Sequence, residues 1–322
     1  MTPAFRIVAD GADVTAVIQD RLLELTVQDL AGGEADTATL GIDDRANRVA
    51  LPAHQAKLEI SLGTRQTGLV AMGAFLVDRT ELSGPPSTLR IQASAADMSG
   101  AIRAPRTTAW EGQTLGDIAR AIAARAGLKP VVAAELDAIA VPYLAQTSES
   151  DLHLLTRLGA QHHFTFAPKA GHLILAAKGG DTLPTGDAMP VTTLALTELT
   201  EWSVTLADRA AYKSVEAQWS DLAAGQTRKV TVGSGTPSFA LRRVFPSAAE
   251  ARQAATAKLQ SAAQAVTQAK VTLGRFGGEL FAGGRVQLAG LRPELAGPYT
   301  IKRAEHRLAD TLTTSLDLDA AL

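Results

Sequence analysis

The sequence predicts a mainly β protein with an α+β insertion. Three observations carry this. Short alternating segments separated by turn residues fill both ends of the chain. Capped amphipathic helices appear abruptly in the middle. A nine-residue strand motif occurs twice, near residues 73–81 and 297–305.

Residues 5–103 read as β. Apolar and polar side chains alternate in Phe5-Arg6-Ile7-Val8, Leu23-Glu24-Leu25-Thr26-Val27, Lys57-Leu58-Glu59-Ile60-Ser61-Leu62, Phe75-Leu76-Val77 and Leu89-Arg90-Ile91-Gln92-Ala93. Asp10-Gly11, Gly32-Gly33, Gly63 and Gly84-Pro85-Pro86 punctuate them. Many short strands at regular spacing point to an antiparallel barrel or sandwich.

The pattern changes after Pro105. Thr114-Leu115-Gly116-Asp117 is a capping box with Asp in place of the commoner Glu. It opens a helix with Leu115, Ile118 and Ile122 on one face, stopped by Gly127. Ser148-Glu149-Ser150-Asp151 predicts a second cap, opening a helix with Leu152, Leu155 and Leu158 that stops near Gly159. Strands His163–Phe166 and His172–Ala176 complete a small α+β unit. Residues 180–190 read as a linker.

β then returns, with Trp202–Leu206 and Ser214–Trp219 as strands. Ser247-Ala248-Ala249-Glu250 caps an Ala-rich helix to about residue 265, whose thin apolar face calls either for close contact with a flat surface or for a place on the outside. From Val271 to the end the chain is β. The expected division is residues 1–103, 104–180 and 181–322, the last with an inserted helix near 247–265.

The repeat is Gly73-Ala74-Phe75-Leu76-Val77-Asp78-Arg79-Thr80-Glu81 against Gly297-Pro298-Tyr299-Thr300-Ile301-Lys302-Arg303-Ala304-Glu305. Both read Gly-x-aromatic-x-β-branched-x-Arg-x-Glu. A strand period of two puts aromatic, aliphatic, Arg and Glu on one face. Strands Lys57–Ile60 and Arg285–Leu288 precede the copies, and Leu89–Ile91 and Leu316–Leu318 follow them. Two amphipathic strands can look alike by chance, but the Gly start and the in-register Arg and Glu favour duplication. Three copies about a threefold axis would then present six similar modules.

Composition narrows the function. Net charge is −2 and no basic tract occurs, which disfavours tight, salt-sensitive binding to a nucleic-acid backbone. A wide channel that passes DNA without gripping it is compatible. There are no cysteines, so disulfides and thiolate metal sites are excluded. Neither a signal peptide nor a membrane-spanning apolar run is expected.

The search for chemistry finds no catalytic, cofactor or metal residues. His153, His162, His163 and His172 cluster in sequence, but no HExxH motif or carboxylate at ligand spacing accompanies them. Surface or partly buried histidines near a helix end are the plainer reading. No Gly-x-Ser-x-Gly occurs, and Gly277-Gly278 and Gly283-Gly284 fit neither phosphate-loop pattern. Asp43-Asp44 reads as a solvated loop, and Glu111 and Glu149 have no partner acid. Trp110–Ala119 resembles the start of a LysM peptidoglycan-binding module, although a capped amphipathic helix gives the same pattern unaided.

Several segments, in order, resemble the phage late control protein D family. They are Phe5–Thr15, Leu40–Arg45, Leu62-Gly63, Gly68–Gly73, Leu82–Pro86, Ala95–Met98, Thr147–His153 and Ala296–Ile301. The resemblance covers essentially the whole chain. It implies a non-enzymatic baseplate hub of a contractile phage tail or tailocin, similar to the hub half of VgrG spike proteins. It also implies two tandem antiparallel β-barrels plus a small peripheral α+β domain, assembled as a homotrimer. Such a ring adapts a sixfold tail tube to a threefold central spike.

The partners implied are the spike, the tube or tube-initiator protein, the tape measure protein and other baseplate proteins. The place implied is the virion, with assembly in the host cytoplasm. Unlike VgrG, the chain ends after the second barrel, so the spike is expected as a separate chain. Arg79, Glu81, Arg303 and Glu305 are the candidate inter-module interface residues. The Arg and Glu of neighbouring modules are expected to pair around the ring. The competing readings are a peptidoglycan-binding or -cleaving tail protein and a type VI secretion spike component.

Overall fold

The computed structural model describes residues 2–96, 100–169, 171–177, 189–206, 212–264 and 267–320. The linker expected at 180–190 lies mostly outside these. The chain is mainly β. One 13-stranded sheet crosses most of the molecule. Its order is Leu199–Leu206, Thr267–Leu273, Leu312–Ala320, Pro298–Leu308, Leu22–Leu30, Thr37–Asp43, Thr88–Ala95, Gly68–Ser83, Lys57–Thr64, Pro3–Ala9 and Ala12–Asp13. Arg285–Ala289 pairs off this path with Pro298–Leu308 and with Val191–Ala195.

Alternation decides which face is buried. In Leu312–Ala320 the odd-numbered residues 313–319 are half-buried while Leu312, Thr314, Leu316 and Leu318 are buried. Leu25, Leu40, Ile60, Leu62, Phe75 and Leu89 fill one core, and Val271, Leu288, Tyr299, Ile301, Leu316 and Leu318 fill another. Each such side chain contributes roughly 1.5–3 kcal/mol of burial.

Those two cores belong to two copies of one arrangement. The first module comprises Leu22–Leu30, Thr37–Asp43, Lys57–Thr64, Gly68–Ser83 and Thr88–Ala95. The second comprises Leu199–Leu206, Thr267–Leu273, Arg285–Ala289, Pro298–Leu308 and Leu312–Ala320. In both, the strands lie side by side in the order first, second, fifth, fourth, third.

The registers agree as well. Leu58 faces Phe75 as Val286 faces Tyr299. Val77 faces Ala93 as Ile301 faces Leu318. Leu25 faces Leu40 as Trp202 faces Val271. Even the irregularities recur. The first strands shift register between Leu22 and Glu24 and between Leu199 and Glu201. The motif strands shift between Val77 and Arg79 and between Ile301 and Arg303. Bulges at matching positions are hard to reach by chance and support duplication.

The shared bulge corrects the expected facing of the motif. Asp78 and Lys302 are the extra residues, and past them the alternation reverses phase. Phe75, Val77, Tyr299 and Ile301 are buried. Arg79 and Glu81 instead lie opposite Gln92 and Arg90, on the outer face. Arg303 and Glu305 likewise lie opposite Asp317 and Ser315, while Ala304 and His306 turn into the core. The strand after the motif is also matched differently. Ile91-Gln92-Ala93, rather than Leu89-Arg90-Ile91, corresponds to Leu316-Asp317-Leu318.

The middle of the chain has its own core, built from Leu115, Ile118, Ile122, Leu154, Leu155, Leu158, Leu173 and Leu175. Thr114 caps the helix Leu115–Ala126 as read: its hydroxyl accepts from Asp117 N, and Asp117 accepts from Thr114 N. Such a cap contributes about 1 kcal/mol. Gly127, left-handed at φ 71°, ends that helix.

The next helix differs from expectation. It runs Asp151–His162 with Ser150, not Ser148, as its cap. Gly159 lies inside it, because a Cβ there would sit 2.8 Å from the Phe164 carbonyl oxygen. His163, at φ 56°, ends it instead. Pro105–Thr114 pairs with Ala140–Ser150, and Phe164–Lys169, His172–Ala177 and Lys129–Val132 form a separate sheet.

The insertion in the second module is also wider than one helix. Ser214–Asp221, Gln226–Gly233 and Ser238–Phe245 form a three-stranded sheet separate from the large one. The helix Ala248–Gln264 lies on it, with Ala251, Ala254 and Ala255 packed against Val215, Ala217 and Phe245. The Ala face has found its flat partner. The whole unit enters between the first and second strands of the second module, where the first module has only a short loop.

Candidate functional site

The feature that ties these parts together is the joint between the two modules. Residues 303–308 of the second motif strand pair antiparallel with 25–30 of the first module, from Arg303 opposite Leu30 to Leu308 opposite Leu25. The core side of this joint is closed: Leu25, Val27, Ala304, His306 and Leu308 are all buried. His306 Nδ1 lies 3.0 Å from the Thr314 hydroxyl, and Phe276 meets its ring edge-on. Burial pushes the His306 imidazole below its ordinary value.

On the outer side, Gln28 Nε2 donates to Glu305 at 2.7 Å and Arg307 donates to Glu24 at 2.9 Å. Arg307 holds the Glu24 carboxyl below its ordinary value. Arg303 stays within its own module, 2.9 Å from Asp317 and 3.6 Å from Glu305. Arg79 similarly pairs with Glu81 at 3.3 Å. So the motif's Arg does not cross the joint in this chain. Its Glu305 does, and Arg79 and Glu81 lie at a different edge of the sheet.

A second node fastens the middle unit to both modules. Lys169 pairs with Asp29 and lies 3.6 Å from Asp36. Asp29 also accepts from Ala282 N of the second module, and Asp36 from Leu30 N. Burial pushes the Asp36 carboxyl up to about 6; Lys169 opposes this and the Asp29 charge adds to it. Gly33 touches the Phe166 ring, which a Cβ would meet at 2.3 Å.

The residues singled out for chemistry are dispersed or structurally engaged. His153 lies in the first turn of the helix that His162 ends, His163 follows it, and His172 opens a strand. Among the described residues no group of three His, Cys, Asp or Glu is placed to hold a metal ion. Asp44 is buried rather than solvated, accepting from Val49 N at 3.0 Å. Glu149 pairs with Arg157 at 2.6 Å. In the LysM-like stretch, Trp110 is buried, donates to Gln146 and is covered by the Arg125 guanidinium. That stretch is used in packing, next to Asp151, which is buried between Arg125 and Arg106.

Sequence reading missed Glu24, Gln28, Asp29, Asp36 and Lys169. Each is an ordinary polar residue beside a turn or on a strand, and its partner is supplied by a distant part of the chain.

Comparison with known proteins agrees with this architecture. The family model of the phage tail baseplate hub (GPD) matches residues 50–312. The chain is 30% identical to a probable baseplate hub protein of Escherichia phage 186, over all of this chain and 94% of that one. A tail protein from Neisseria meningitidis MC58 shares the fold at TM-score 0.75 and 14% identity, covering 99% of this chain and 97% of the other. A chain of the PdpA-VgrG complex of Francisella shares it at TM-score 0.57 and 9% identity, over 100% of this chain and 58% of the other. A chain built from two fused copies of one β-module, and matched along its whole length in this way, belongs to the phage tail baseplate hub (GPD) family.

Proposed function

We propose that this hub acts as a trimeric ring, with six similar modules around its axis, that adapts a sixfold tail tube to a threefold central spike. The supporting observation is the pair of five-stranded modules with the same strand order, register and bulges. In this reading each module closes as a barrel, residues 1–103 and 181–322 hold one each, and residues 104–180 form the peripheral domain.

The role is geometric and involves no catalysis. The ring seats the tube on one side, is closed by the spike on the other, and opens when the spike leaves. Its further partners are the tape measure protein and neighbouring baseplate proteins of a contractile tail, assembled in the host cytoplasm. DNA passes through the lumen without specific binding.

Light scattering on the purified protein, alone and with its spike, tests this. The expected mass is three times the 33.6 kDa of one chain. A chain that remains monomeric under both conditions refutes it.

A further inference from the structure

The joint inside the chain leaves its counterpart unmade. In both modules the preceding strand leaves the motif strand at the same place, with Lys57 opposite Leu76 and Arg285 opposite Thr300. In the second module, strand Leu22–Leu30 takes up the vacated edge at Arg303–Leu308. In the first module, no strand among the described residues pairs with that edge beyond Leu76, and residues 78–83 are all exposed. The strand equivalent to Leu22–Leu30 is Leu199–Leu206. It ends the large sheet, paired on one side only among the described residues.

The side chains at the two open edges match this gap. Trp202 and Val204 lie opposite the buried Val271 and Ala269, so they stand on the core face, as does Leu206 two residues on. Leu82 lies opposite the buried Leu89. Yet Leu82, Trp202 and Leu206 are 56%, 47% and 60% exposed, whereas Leu25, the counterpart of Trp202, is 0% exposed. Core-face apolar residues at an open edge invite pairing with another chain.

We infer that a second copy of this chain fills the gap. Residues 80–84 of one copy pair antiparallel with residues 202–206 of the next, in the register of the internal joint. Carrying that register across sets Glu81 opposite Thr205, Leu82 opposite Val204 and Gly84 opposite Trp202. The pairs are chemically compatible: Glu81 takes an alcohol where Glu305 takes the Gln28 amide, and Leu82 packs on Val204 where His306 packs by Val27. The contact is head-to-tail, so repeating it closes a ring or grows without limit. Closure at three chains rests on the hub reading above.

The chain has no cysteine, so a pair of introduced cysteines reports register cleanly. Directly opposite strand residues are about 4.5–5.5 Å apart at Cα, within disulfide reach. Glu81→Cys with Thr205→Cys in one chain should oxidise to a ladder ending at covalent trimers. Glu81→Cys with Ser203→Cys, two residues out of register, should crosslink at least tenfold less. Leu82→Lys, at an exposed position, should leave the monomer folded by circular dichroism and raise the trimer dissociation constant at least tenfold.

Trimers of normal mass that fail to crosslink at 81 and 205, or crosslink better at 81 and 203, overturn this inference and leave the hub reading standing. Trimers unaffected by Leu82→Lys also overturn it. A chain that is monomeric alone and with its spike overturns both.

Discussion

Replacing Asp36 with Asn should stabilise the protein near neutral pH and change little near pH 4. The Asp36 side chain is only 18% exposed where the first module meets the middle unit, and its ionisation is pushed from 3.8 up to about 6. Burial is the largest cause; Lys169 works against it and the Asp29 charge works with it. A shift of that size disfavours the charged form by about 3 kcal/mol. In the folded state the group holds its proton to higher pH than in the unfolded chain. Its stabilising contribution is therefore complete below about pH 4 and lost as pH rises through about 6.

Asn mimics the protonated acid and keeps an oxygen to accept from Leu30 N, while Lys169 retains Asp29. The expected gain near pH 7.5 is therefore about 1–3 kcal/mol. Urea unfolding of both proteins at about pH 4.5 and 7.5 measures it. A loss of stability near pH 7.5, or an equal change at both values, would show that the ionised carboxylate is favourable where it sits.

Three further outcomes are expected. Asp151→Ala removes the buried acceptor shared by Arg125, Arg106 and Gln146 and should cost about 1–3 kcal/mol, read by hydrogen exchange as a loss confined to residues 105–177. His306 and His162 are both held below the ordinary imidazole value of 6.5 by burial. Their contribution is present above about pH 6.5 and lost as pH falls, so the double change His306→Gln with His162→Gln should flatten the stability profile between pH 5 and 7. Gly33→Ala forces a Cβ against Phe166 at φ +85° and should cost about 1–3 kcal/mol, seen as a lower urea midpoint.

Much of the fold is legible in the sequence because the signals are local. The cap at Thr114 and Asp117, the stop at Gly127 and the alternation of Leu312–Ala320 are each written within a few residues. The repeat was legible too, since in-register Gly, aromatic, Arg and Glu survive in both copies. The bulge was not. Val77-Asp78-Arg79 and Ile301-Lys302-Arg303 carry no glycine or proline to announce an extra residue, and two successive charged residues read equally well as a strand running out into solvent. Sheet membership was equally silent, because Ser214–Trp219 alternates the same way whichever sheet receives it. The joint depends on pairs such as Gln28 with Glu305, 277 residues apart, which no local pattern can bring together.

The bulge also gives the repeat a physical purpose that a regular strand would lack. A motif strand with unbroken alternation would keep Arg and Glu on the face that Phe75 and Tyr299 bury, at a desolvation cost of several kcal/mol per charge. One extra residue turns those charges outward and brings Ala304 and His306, or Thr80 and Leu82, to the core face. The first half of the strand then belongs to its own module's core, while the second half offers an edge to the next module. In the second copy that edge is already occupied by the first module of the same chain, and Glu305 and Arg307 make the outer contacts. In the first copy no strand among the described residues pairs with the same edge. With the edges at residues 78–83 and 199–206 both unpaired among the described residues, the chain carries the two halves of the same joint, and in the inference drawn above each added copy would fill one and present another.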